Sequence, residues 1–147
     1  MSPTIMLRLF GLAKIPLLFL VGPKVLKLND EQVEVRIPLN RITRNHLGSM
    51  YFGTLAIGVD CAGGLLAVHH IRQSGEKVSL VFKDFKADFL KRPEAAVVFK
   101  CRQGKEIKAL VNKVIKTKAR HHRTIKIDAY CGRIHVAAFE LTISLKV

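Results

Sequence analysis

The stretch from Asn45 to Val68, NHLGSMYFGTLAIGVDCAGGLLAV, constrains this chain more than any other. From Leu47 onward it holds one charged residue, Asp60, in a run of small and apolar side chains. Read as a helix, the run puts Gly53, Ala56, Asp60, Gly63, Gly64 and Ala67 on one face, because they recur at helical spacing. Such a face lets another backbone or a sheet approach closely. It then holds a carboxylate where much of the water is excluded. A lone ionisable group in that setting is paired, functional or both.

A chain of 147 residues supports one domain, 1–147, with a real core. Leu47–Val68 is long enough to span a bilayer. Asp60 would then lie near the midplane at a cost of about 2.5 kcal/mol or more, so no membrane insertion is expected. The apolar N-terminus is interrupted by Arg8, Lys14 and Pro16, and Pro23 after Gly22 disfavours cleavage. It reads as a docking helix over about residues 5–20, not as a targeting segment. Cys61, Cys101 and Cys131 are widely spaced and odd in number. That pattern argues against a disulfide framework or a zinc site, and Cys61 and Cys131, in apolar surroundings, read as buried, unreactive thiols of a cytoplasmic protein. His69-His70 and His121-His122 are adjacent pairs whose side chains diverge on a helix or strand, so no metal is expected.

The formal net charge is +14, which suits an anionic partner: nucleic acid, a lipid surface or a phosphate-bearing small molecule. Residues 101–126 hold nine Lys or Arg against one acid, Glu106. No aromatic residues are interleaved there, which disfavours nucleic acid.

Strands are expected at Lys24–Leu28 and Gln32–Leu39, joined by the turn Asn29-Asp30-Glu31. In the second, Val33, Val35 and Ile37 alternate with Glu34 and Arg36. After the long helix, Ser74-Gly75 marks a turn. Lys77–Leu90 alternates, with a shift at Asp84-Phe85 that predicts a bulge. Ala96–Arg102 is a further strand. Gly104–Lys116 is an amphipathic helix with Ile107, Leu110, Val111, Val114 and Ile115 on its apolar side. Arg123–Tyr130 and Ile134–Val147 close a hairpin around Gly132. The expected class is α+β: an antiparallel sheet of about six strands wrapped around one central apolar helix.

This order of elements resembles the hotdog-fold acyl-CoA thioesterases. Asn45, Gly48, Gly53 and Asp60 are similar in type and spacing to the signature of the phenylacetate-pathway type. Asp88-Phe89-Leu90-Lys91-Arg92-Pro93 is similar to the end of the third strand in that superfamily. Tyr51 stands where the family has His, and Phe52 stands where it has the first Gly of a pair. The resemblance implies a homo-oligomer, dimer or tetramer, with sites between subunits and coenzyme A entering only as part of the substrate.

On that resemblance, Asp60 is the expected general base or nucleophile and Asn45 holds the water or the carbonyl oxygen. Backbone N–H groups of Phe52 and Gly53 at the helix start polarise the thioester carbonyl. Tyr51 lies beside the substrate, and Lys91 and Arg92 meet its phosphates. Two rival readings stand beside this one. The first is an inactive hotdog module that binds an acyl or coenzyme-A-type ligand, favoured by Tyr51 and Phe52. The second is a basic protein that binds nucleic acid or an anionic surface.

Overall fold

The computed structural model describes residues 1–147. Its six strands are β1 (Lys24–Leu28), β2 (Val33–Ile37), β3 (Ser79–Phe89), β4 (Val97–Cys101), β5 (His121–Cys131) and β6 (Ile134–Lys146). They form one antiparallel sheet in the order β1-β2-β4-β5-β6-β3. The helices are α1 (Pro3–Lys14), α2 (Pro16–Leu20), α3 (Phe52–Ser74) and α4 (Gly104–Thr117). The sheet curls around α3, as the hotdog resemblance implies.

Helix α3 starts later than its apolar pattern suggests and runs further, to Ser74, where Gly75 caps it in the left-handed conformation. Residues 47–51 are apolar or small, yet local bonds hold them as a loop. The Asn45 side-chain oxygen accepts from the N–H groups of Leu47 and Ser49 at 2.9 and 3.1 Å. The Met50 N–H donates to the Pro93 carbonyl at 2.8 Å. By length and composition α3 is able to cross a membrane. Here Leu55, Val59, Ala62 and Leu66 face the sheet and are buried.

The expected glycine face splits in two. Gly53, Ala56, Asp60 and Gly64 stay on the side the sheet leaves open, whereas Gly63 and Ala67 are buried. A side chain at Gly63 would meet Leu141, Ile125 and Ile127 of the sheet within 2.9–3.3 Å. Gly58 lies tighter still, with the Phe99 ring where its Cβ would be.

Strand β3 carries a one-residue irregularity between Phe82 and Asp84 in its ladder with β6. Residue parity switches there. Leu80 and Phe82 pair with the inward Leu145 and Ile143; beyond the bulge, Phe85, Ala87 and Phe89 pair with Leu141, Phe139 and Ala137. The bulge absorbs the extra residue and so keeps five apolar side chains on the inner face. β3 is nonetheless a sheet edge, and Val81, Phe82, Phe85 and Phe89 remain substantially exposed. Phe85 and Phe89 lie against Phe139 and are not core residues. Cys61 and Cys101 are buried, while Cys131 is only half-buried.

The adjacent histidines His69 and His70 converge on one turn. His69 Nε2 meets the Asp30 carboxylate at 2.9 Å, and His70 Nε2 donates to the Asp30 carbonyl at 2.9 Å. They pin the β1–β2 turn to the end of α3, and the backbone of Gly104 packs directly on the same turn. Burial, the largest effect, lowers the His70 pKa, with His69 and Lys108 adding repulsion and Asp30 opposing both. A depressed folded pKa means that the unfolded chain takes up the proton first. The stabilisation from neutral His70 is complete above about pH 6.5 and is lost as pH falls through the folded value. Melting temperature followed from pH 8 to pH 5 is expected to fall on the acid side. In His70→Gln, which keeps a donor for the Asp30 carbonyl, that fall should be shallower.

Candidate active site

Two separate places along α3 carry the chemistry. The first is the helix start. Tyr51 is the N-cap and supplies no side-chain cap, so the N–H groups of the first turn have no side-chain acceptor. They lie at the positive end of a 23-residue helix. Tyr51 packs on Phe52 with ring centroids 4.8 Å apart. The Tyr51 ring also lies across Gly53, so a Cβ there would collide with it. Both rings are exposed.

The loop before this helix start is braced from several directions. The Thr43 carbonyl accepts from the Tyr51 N–H at 2.9 Å and from the Thr54 hydroxyl at 3.1 Å. Arg92 Nε donates to Ser49 Oγ at 3.0 Å, and a second Arg92 nitrogen donates to the Leu47 carbonyl at 3.3 Å. The structure thus brings Asn45, Tyr51, Phe52, Gly53 and Arg92 to one end of α3. Arg92 and the Asn45 oxygen hold the loop's shape there, and the Lys91 side chain is exposed beside them. The bracing role of Arg92 was not visible from sequence, because its partners are a serine and a carbonyl more than 40 residues away.

The second place is Asp60, two turns further along, about 10 Å down the axis from Gly53. It borders a cavity of about 250 Å³ between α3, the α1–α2 hairpin and the beginning of β3. Ten of the thirteen lining residues are hydrophobic, among them Leu7, Phe10, Leu18, Leu65 and Phe82. The Asp60 carboxylate has no ion pair; it lies over Gly64, where a Cβ would sit 3.4 Å from Oδ1. Burial raises its pKa above the ordinary carboxylate value, and no opposite charge offsets this. Neighbouring Cys61 is pushed up to about 12 by burial and by the Asp60 charge, so it is an inert thiol at neutral pH. Phe82 is the one phenylalanine of β3 that reaches this cavity.

The contribution of α1 and α2 to the cavity roof was missed by the sequence reading. Its signal was the apolar 5–20 segment, whose break at Pro16 lets α2 fold back onto α1. Gly11 sits at the crossing, where a side chain would press within 2.8 Å of the Phe19 nitrogen. No group of three or more His, Cys, Asp and Glu side chains comes together as a metal site.

The fold is shared with solved proteins. A candidate thioesterase from Shewanella oneidensis superposes with a TM-score of 0.83 at 16% identity, covering 96% of this chain and 95% of that one. A protein of unknown function from Pseudomonas aeruginosa, described as a probable thioesterase, gives 0.81 at 20% identity, covering 99% and 96%. A thioesterase from Haemophilus influenzae gives 0.67 at 16% identity, covering 93% and 87%. The chain therefore has the hotdog fold of thioesterase-family proteins. No curated protein matches it. Residues 4–146 match the model of a domain of unknown function, DUF4442, and the chain belongs to that family.

Proposed function

We propose that this protein hydrolyses acyl thioesters of coenzyme A or of an acyl carrier, at a site completed by two copies of the chain. The observation that carries the reading is Asp60: an unpaired carboxylate of raised pKa at the wall of an apolar cavity. A base of that kind takes a proton from water more readily than an exposed aspartate. The water oxygen attacks the thioester carbonyl carbon, and the oxyanion is held by N–H groups at a helix start. Collapse breaks the C–S bond, and the departing thiolate takes the proton back. The free acid and the thiol leave. Asn45 orients the water or the carbonyl through its amide, and Lys91 with Arg92 meets phosphates of the carrier.

Asp60 and the helix start lie too far apart on one chain to act on one carbonyl. A second α3, running antiparallel, brings the helix start of one copy to the Asp60 of the other. Support comes from the open small-residue face of α3 and from the exposed aromatic edge of β3, which a second β3 would cover. Light scattering at micromolar concentration should therefore give a dimer or a multiple of it. A monomer mass would remove the composite site. Free thiols fit a reducing, cytoplasmic setting.

A panel of acyl-CoA chain lengths, assayed for thiol release with Asp60→Asn alongside, tests the hydrolase reading directly. One observation favours a second reading, a non-hydrolysing acyl-binding module: the Tyr51 ring covers part of the helix start. Saturable acyl-CoA binding without thiol release would select it.

A further inference from the structure

The α1–α2 hairpin has two faces with different tasks. Its inner face, with Leu7 and Leu18, roofs the cavity beside Asp60. Its outer face presents Ile5, Leu9, Leu12, Leu17 and Leu20, each 50–60% exposed, with no part of the chain packed over them. A monomer surface rarely gathers so many large apolar side chains in one short segment without a partner. The charges around them have one sign. Residues 1–29 contain Arg8, Lys14, Lys24 and Lys27 and no acid at all.

That combination decides what the face fits. A second copy docked face to face would set these cations against their own symmetry mates with no acid to offset them. An anionic lipid surface offers the opposite charge in its headgroups and an apolar layer just beneath, matching both properties at once. We propose that the outer face of the α1–α2 hairpin docks in the interface of an anionic phospholipid bilayer, without spanning it. The cavity roof would then rest against the lipid, and an acyl chain leaving the bilayer would meet the hairpin before it meets the solvent. The proposal stands on this surface alone and does not require catalysis.

Sedimentation with vesicles tests it. The intact protein should pellet with phosphatidylcholine vesicles containing phosphatidylglycerol, stay in solution with phosphatidylcholine alone, and be partly released by salt. Leu12→Glu with Leu17→Glu changes exposed residues that do not line the cavity. Apparent affinity should drop about tenfold or more, with the circular dichroism and melting temperature retained. If that variant fails to fold, Leu12→Ser with Leu17→Ser should show the same loss. The basic outer face of α4 is the necessary control, and Lys108→Glu with Lys113→Glu should keep most of the binding. Loss on the α4 change with none on the leucine change would overturn the proposal in favour of general basic attraction. Absence of vesicle binding, with the leucine variant halving the mass in solution, would overturn it in favour of a second copy.

Discussion

Asp60→Asn is expected to reduce thioester hydrolysis by about 10²–10⁴-fold while the fold and the oligomer persist. The amide keeps the size of the side chain and removes the base. Steady-state thiol release on the best acyl-CoA of a panel reads the loss, which should fall on kcat rather than KM because the carboxylate acts on the water. The same variant has a stability signature. A carboxyl whose folded pKa is raised favours the folded state fully only below its unfolded value, and that favour is lost as pH rises through the folded value. At pH 7 the charged Asp60 is therefore a liability, and the amide should leave the melting temperature unchanged or higher. A clear drop in melting temperature would mark Asp60 as a structural partner across the subunit contact. Full retained activity would show that the carboxylate does no chemistry.

Gly58→Ala is expected to destabilise the protein by about 1–3 kcal/mol, although alanine in a helix interior normally gains about 1 kcal/mol over glycine. The reason is Phe99. Its ring is fully buried in the middle of β4, between Val35 of β2 and Ala129 of β5, and it occupies the space of the missing side chain. Overlap there requires either the ring or the helix to move, and the close-packed sheet on one side and α3 on the other resist both. Urea unfolding should show a lower midpoint for Gly58→Ala. Adding Phe99→Leu should restore part of it, a coupling that a double-mutant cycle isolates. A raised midpoint in the single variant would mean that helix propensity outweighs the contact.

Periodicity carried most of the architecture. Val33, Val35 and Ile37 announced β2, and the leucine and valine spacing of α4 gave its buried side almost residue for residue. Where the pattern was silent, the reading went astray. Small residues do not say which way they face, so Gly58, Gly63 and Gly64 could not be divided between sheet and open side from spacing alone. Apolar residues 47–51 look helical until Thr43, Asn45 and Arg92 are seen tying them down, and those ties run through polar atoms that hydropathy ignores. The convergence of His69 and His70 on Asp30 depends on a side chain and a backbone carbonyl some 40 residues away in sequence. Asp60 was conspicuous by type and setting. The hairpin over its cavity became visible only once the N-terminal segment was placed.

The bulge in β3 has a consequence for how this strand tolerates change. Aromatic identity at Phe85 or Phe89 matters to one contact at a time, so a substitution there is a local event. Straightening the bulge with Lys83 retained is different in kind. The ladder with β6 would regain its regular alternation, and everything downstream would change sides. Lys86 and Asp88 would turn toward the interior, and Phe85, Ala87 and Phe89 would turn out. The inner face of this edge is thus encoded by counting as much as by composition. β3 can drift in sequence far more freely than it can change in length anywhere but at the bulge.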